Sequence, residues 1–295
     1  MSFLQTLFTT RILPVRRSGD QWVLVTSRNE PAVTAVLSAS LGLHSDSIMN
    51  RLSTFGPAAN VAVIGAAGGI GNAFCHRLAS MDGIAAVHAL SRSAAPDSDD
   101  RIRPLAMDLL DEASIESAAL QVSESGPLDL VIVATGILHQ DELQPEKAMR
   151  ELSGDNMLQL LRINTVGPAL VAKHFLPKMR RKGKSVFAAL SARVGSIEDN
   201  RLGGWVSYRA SKAALNMTLK TLAIEHARRW PDSAVVALHP GTVATALSEP
   251  FRSRVVPEQL FTPKTSASHL LRVVDGLTAA DSGGFFAWDG SRVPY

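Results

Sequence analysis

Residues 207–216 read SYRASKAALN, which sets a tyrosine and a lysine four positions apart. The chain has two tyrosines, and Tyr208 is the only one that is not its last residue. Lysines are scarce as well, eight in 295 residues. At i and i+4 of a helix, Tyr208 and Lys212 stand on one face. A free phenol has a pKa near 10 and is a poor base at neutral pH, whereas a neighbouring ammonium favours the phenolate. Such a tyrosine can give a proton to a carbonyl oxygen or take one from an alcohol. The same lysine can reach the ribose hydroxyls of a nucleotide. Spacing alone also admits an interfacial tyrosine beside a solvated lysine.

A second chemical feature lies upstream. GAAGGIG (65–71) follows the apolar run VAVI and opens a helical pattern. Gly65, Gly69 and Gly71 permit positive φ and let backbone approach a pyrophosphate held at a helix N-terminus. Their spacing is G-x-x-x-G-x-G, not the G-x-G-x-x-G of the general dinucleotide fingerprint. With no GK[ST], a P-loop is excluded. The next strand ends HALSRSA (88–94), with Arg92 and no acid before Asp97. A ribose 2′-hydroxyl calls for an acid near this point and a 2′-phosphate for an arginine, so NADP is expected over NAD. Asp108 is placed either to accept from an adenine amino group or to cap the helix starting near Asp111.

Short β-branched runs at 61–64, 85–90, 128–134, 185–190, 234–238 and 284–288 read as strands, with 103–107 a further candidate. Helical periodicity falls at 70–80, 112–121, 146–180, 205–229 and 265–278. Nearly continuous apolar strands alternating with helices argue for an open parallel α/β sheet with right-handed crossovers. The run KMRRKGK (178–184) reads as a helix C-terminus stopped by Gly183 rather than a nucleic-acid patch.

Composition narrows the class. Charged residues are 19 % and the net charge is +3, which does not suit a disordered chain. One cysteine, Cys75, excludes an internal disulfide, and the scattered histidines give no metal pattern. The longest apolar run, LDLVIVATGIL (128–138), is too short to span a bilayer, so a soluble chain is expected. Residues 1–58 hold five arginines, no lysine, three acids and fourteen Ser or Thr. They are expected to be an extension, disordered, targeting or preceding a true start at Met49, with the folded domain over 59–295. A cytoplasmic location is expected, or a mitochondrial or plastid one if residues 1–48 are a transit peptide.

Together GAAGGIG, SYRASK and HPGTVAT (239–245) resemble the classical short-chain dehydrogenase/reductase family over roughly residues 60–292. LSARVGSI (190–197), SYRASKAALN and FFAWDGSRVP (285–294) resemble its C-factor-like branch. The resemblance implies one Rossmann-like, doubly wound domain with about seven parallel strands, usually dimeric or tetrameric. It implies hydride transfer between NADP and a small carbonyl or alcohol, with no nucleic acid or membrane as partner. Tyr208 becomes the acid/base, Lys212 its pKa tuner and ribose ligand, and Asn164 in RINTVGP the holder of a proton-relay water. Implied cofactor contacts are Gly65, Gly69, Ile70, Gly71, Arg92, Asp108, Leu109, Ala134, Gly136, Tyr208 and Lys212. Pro240, Gly241, Val243 and Thr245 join them at the nicotinamide end.

Three positions depart from the family pattern. Ile64 stands where threonine is usual, and Ala134-Thr135-Gly136 replaces Asn-Ala-Gly, leaving Thr135 to make part of the missing bonds. The serine of the catalytic set aligns with Ala192. Alternation along the strand turns Ser191 the other way unless the strand end is twisted, and the donor role falls to Ser191, Ser196, a water or nothing. A nucleotide-sensing protein with little catalysis is therefore the competing reading. The substrate pocket is expected in loops after Gly136, at 193–204 and at 246–262, with Leu247, Phe251 and Phe261 as apolar lining.

Overall fold

The computed structural model describes residues 16–18, 21–23, 49–93, 99–254, 256 and 259–295. The chain forms two compact units, Met1–Ile48 and Met49–Tyr295. In the first, β1 (Arg16–Ser18) and β2 (Gln21–Val23) pair antiparallel with Arg16 opposite Val23; the rest of the unit, and the targeting reading made for it, lie outside the described residues.

The second unit alternates strand and helix. β3 (Ala59–Ile64) leads to α1 (Gly69–Ala79), β4 (Ile84–Ser91), β5 (Ile102–Ala106), α2 (Glu112–Ser123) and β6 (Leu130–Val133). α3 (Gly154–Leu161), α4 (Gly167–Phe175), β7 (Ser185–Leu190), α5 (Val206–Ala227) and β8 (Ser233–His239) follow. Two short strands, β9 (Thr242–Val243) and β10 (Leu260–Phe261), pair with each other before α6 (Pro263–Gly276) and β11 (Phe285–Ala287).

Seven strands form one parallel sheet in the order β11-β8-β7-β6-β3-β4-β5. β3, β6 and β7 are buried along their whole length, which explains their unbroken apolar sequences. Successive residues serve opposite faces. Val61 and Val63 join Phe74, Leu270 and Leu271 on one side, and Ala62 and Ile64 join Ile115, Phe175 and Leu219 on the other. From β3 the chain builds outward through β4 and β5, then returns to add β6 on the other flank. That reversal opens a crevice beyond the C-terminal ends of β3 and β6, where ligands of such sheets bind.

The helix expected over 146–180 is not continuous. It is broken into 3₁₀ turns at Met149–Glu151 and Leu176–Lys178, α3, a π turn at Arg162–Val166, and α4. Pro168 lacks an N–H, so the carbonyl of Asn164 has no i→i−4 donor and the ladder is interrupted at this point. The KMRRKGK run also departs from a helix C-terminus. Arg180 pairs with the buried Asp129. Lys184 donates to Thr54 Oγ1 at 2.7 Å and to the carbonyls of Val274 at 3.0 Å and Asp275 at 2.7 Å. Asp275 in turn accepts from Ser53 and from Thr54. These bonds tie residues 53–54 to the sheet, within the compact unit Met49–Tyr295. Among the described residues no helix is long and apolar enough to cross a membrane, and no cluster of metal-ligating side chains occurs.

Candidate active site

The glycine loop joins β3 to α1 across the crevice. Gly65 has φ +87°, and a Cβ there would lie 2.9 Å from Thr135 Cγ2. A Cβ on Gly71 would lie 2.1 Å from the Gly65 carbonyl oxygen. Both positions therefore admit only glycine. The α1 N-cap, Gly68, brings no side-chain cap, and the first turn carries no acid. Its N–H groups and the positive end of the helix dipole are left to an external anion. This cradle fits the pyrophosphate of a dinucleotide. Ile70 and Thr245 line one cavity beside it, with Pro240, Gly241 and Val243.

Arg92 follows the last residue of β4 and is exposed. Asp108 accepts from Leu110 N at 2.9 Å, while Asp111, accepting from Ala113 N at 3.0 Å, caps α2. Of the two roles considered for Asp108, helix capping thus belongs to its neighbour. Leu109 packs on Gly167, where a Cβ would lie 2.6 Å from Leu109 Cγ.

Tyr208 and Lys212 are both buried, on one face of α5. Lys212 Nζ donates to the Leu190 carbonyl at 2.9 Å and lies 5.9 Å from the Tyr208 ring centroid. Asn164, in the π turn, accepts from Ile137 N at 2.8 Å and donates to Ile137 O at 2.9 Å and Ser211 Oγ at 3.0 Å. It pins the loop after β6 against the tyrosine's helix. Gly136 sits between them: a Cβ there would be 3.3 Å from both Asn164 Oδ1 and Lys212 Nζ. The π turn, with its rare geometry, is what aims this asparagine inward. Three residues far apart in sequence thus meet at one point.

The electrostatics differ from the expectation for the pair. Burial pushes the Tyr208 phenol up, and burial pushes Lys212 down to about 8. The ammonium is turned to the Leu190 carbonyl, so desolvation outweighs its pull on the phenol. At neutral pH Tyr208 is a protonated donor.

Ser191 Oγ donates to Asn216 Oδ1 of α5 at 2.7 Å. Ser196 Oγ accepts from Asp199 N at 3.0 Å. Both hydroxyls are engaged within the protein; Ser191 lines the cavity together with Ala192, which packs beside Tyr208 and Val194. Thr135 Oγ1 is buried without a partner, so it does not take over the bonds of the asparagine usual near that point.

The cavity around Tyr208 measures about 450 Å³ and runs from Ile70 to Phe251. Leu138, Val194, Trp205, Leu247 and Phe251 give it an apolar wall. Leu247 and Phe251 were expected there, whereas Phe261 instead packs edge-on against Trp288, ring centroids 4.7 Å apart. Two wall features had no sequence signal. Trp205 holds φ +53°, a left-handed conformation at the start of α5. Buried Glu146 supplies the cap that Trp205 lacks, accepting from Ser207 Oγ and, at 3.3 Å, from Ser207 N. The two residues are 61 positions apart, so no local pattern announces the pair. Replacing Glu146 with Ala leaves two buried donors unpaired next to Tyr208. The expected loss is about 1–3 kcal/mol of stability, measured by urea unfolding, with Glu146→Gln retaining most of it.

Comparison with known proteins identifies the family. A family model described as short chain dehydrogenase matches residues 59–255. The chain is 34 % identical over 186 residues to 1-hydroxy-2-glutathionyl-2-methyl-3-butene dehydrogenase of Rhodococcus sp. (strain AD45), covering 63 % of this chain and 76 % of that protein. It is 32 % identical over 171 residues to the C-signal protein of Myxococcus xanthus, covering 58 % of this chain and 95 % of that one. An NADPH-bound carbonyl reductase from chicken fatty liver superposes with a TM-score of 0.70 at 27 % identity, over 81 % of this chain and 99 % of that one. The family match spans more than half of the sequence and the fold agrees with it throughout the sheet domain: the chain belongs to the short chain dehydrogenase family of NAD(P)-dependent oxidoreductases.

Proposed function

We propose that the protein is an NADP-dependent carbonyl reductase or alcohol dehydrogenase acting on small molecules. The observation that carries this reading is the meeting of Lys212 and Asn164 at Gly136, with the Tyr208 ring 5.9 Å from the Lys212 ammonium, beyond the strand end that the glycine loop also leaves. A bound nicotinamide would supply a hydride to the carbonyl carbon, or accept one from the alcohol. Tyr208 gives its hydroxyl proton to the carbonyl oxygen in reduction and removes it in oxidation. Lys212, close to the tyrosine and to the crevice, stabilises the phenolate left behind and is positioned for ribose hydroxyls. Asn164 fixes the loop that faces both. The apolar wall excludes water and strengthens these polar contacts. A screen of aldehydes and ketones for NADPH oxidation tests the reading, and a chain that binds NADPH yet oxidises it with none contradicts it.

NADP is favoured over NAD because Arg92 stands at the end of β4 where a 2′-phosphate falls; relatives of this fold solved with NADP or NADPH are consistent with it. Arg92→Ala is expected to weaken NADPH binding about tenfold, near 1.4 kcal/mol, and to leave NADH binding unchanged. Fluorescence titration of both nucleotides checks it, and an equal effect on the two would remove Arg92 from the site.

A homo-oligomer is part of the proposal. Leu158 and Val166 along α3 and the π turn, with Met217 and Ile224 on α5, are apolar and exposed, as befits surfaces covered by a second copy. Ala192 keeps a second reading in view, a nucleotide sensor with slow turnover. The carbonyl screen separates the two.

A further inference from the structure

Several polar side chains of the cavity have no part in the mechanism above, and one of them is a histidine. His239, the last residue of β8, lines the same cavity as Tyr208 and Ala192. β7 and β8 run in register with Leu190 opposite Leu238, and Ser191 N donates to Leu238 O at 2.8 Å. His239 therefore stands beside the strand end at which Ser191 and Ala192 leave the sheet. The chain turns at once into a 3₁₀ turn, Arg193–Gly195, and Arg193 N donates to His239 Nδ1 at 3.3 Å. A ring nitrogen that accepts a backbone N–H carries no proton of its own, so in neutral imidazole the proton is on Nε2.

The ring is neutral at physiological pH. Burial pushes it down to about 4, helped by the Arg193 guanidinium and opposed by Asp289, the two charged groups that face it. A neutral imidazole with a fixed Nε2–H is a hydrogen-bond donor that does not compete with Tyr208 for the proton being moved. The missing hydroxyl and the added donor occur at adjacent strand ends of one cavity.

We infer that His239, through Nε2–H, supplies the hydrogen bond to the substrate oxygen that a serine hydroxyl at position 192 would otherwise give. The inference rests on the carbonyl-reductase reading. As the substrate carbon gains hydride, its oxygen gains charge until the Tyr208 proton arrives, and a second donor aimed there lowers the barrier. The substrate class follows: a carbonyl whose oxygen takes two donors at once and whose substituents lie against Leu138, Trp205 and Phe251. Apolar or aryl aldehydes and ketones fit, because these wall residues are apolar and the charged Arg193 of the lining is paired with Asp199.

Two measurements on the full-length protein test the inference. Imidazole ¹⁵N–¹H correlation spectra, with His239→Gln to assign the signal, should find the His239 proton on Nε2 at pH 7. A proton on Nδ1, or a charged ring, overturns it. With NADPH and 4-nitrobenzaldehyde as probe, His239→Ala should lower kcat about 10²-fold, with NADPH affinity and Tm unchanged. His239→Gln, which keeps an N–H, should lose less. Adding Ala192→Ser to His239→Ala should restore at least about tenfold, since the hydroxyl returns to the position whose loss the histidine covers. Turnover by the wild-type chain together with an indifferent His239→Ala, or a loss confined to KM that Ala192→Ser does not restore, overturns the inference alone. A wild-type chain without turnover overturns the reductase reading and this inference with it.

Discussion

Tyr208→Phe is expected to lower kcat by about 10²–10⁴, the range lost with a positioned acid/base, and to leave NADPH binding as it was. The substitution removes one oxygen and little else. The Tyr208 ring packs with Leu138, Leu143 and Leu160, contacts that phenylalanine keeps, so Tm should hold. Lys212 is turned to the Leu190 carbonyl and His239 Nδ1 accepts from Arg193 N, so neither stands ready to deliver a proton in its place. Steady-state kinetics with an aryl aldehyde, set beside a cofactor titration, separate chemistry from binding. Undiminished kcat in the phenylalanine variant would remove Tyr208 from the mechanism.

Gly71→Ala is expected to cost the cofactor site its shape. The added methyl would stand 2.1 Å from the Gly65 oxygen, 2.8 Å from its carbonyl carbon and 3.2 Å from Ala66 Cα. All three are backbone atoms of the loop itself, so no side chain can swing aside and the loop must move. Overpacking of this kind costs about 1–3 kcal/mol, and NADPH affinity should fall at least about tenfold as N–H groups shift out of line. Gly154→Ala is the matched control, because a Cβ there meets nothing within 4 Å and φ is not positive. It should be neutral or slightly stabilising. Equal NADPH affinity in the two variants would mean that the loop does not hold the nucleotide.

What the sequence made legible follows from which forces are local. β3, β6, β7 and β8 read correctly as strands because a strand covered on both faces must be apolar throughout. Gly65 and Gly71 stood out because their steric demand is met by one residue type, and Tyr208 with Lys212 because a helix converts spacing into a shared face. Strand alternation alone would turn Ser191 away from the cavity that Ala192 lines, yet both residues line it, with the Ser191 hydroxyl held by Asn216 of the tyrosine's helix. The rest depends on partners remote in sequence. Glu146 reaches Ser207 across 61 positions. The π turn at Arg162–Val166 depends on a proline beyond its own end and on packing against α5. Residues 53–54 join the domain through Asp275 and Lys184, bonds that span more than a hundred positions. Tyr208 shifts opposite to the expectation for the same reason: an i+4 lysine is visible in sequence, while burial and a competing carbonyl are not.

The most direct test of the central claim is a titration of the full-length protein with NADPH and NADH, following energy transfer from tryptophan to the reduced nicotinamide. Trp205 lines the cavity and Trp288 packs beside Gly241, so a nicotinamide bound there lies within reach of both. Saturable transfer at micromolar NADPH, weaker with NADH, is the predicted result. Absence of transfer with either nucleotide would contradict the account, leaving a glycine loop that keeps its geometry and holds no dinucleotide.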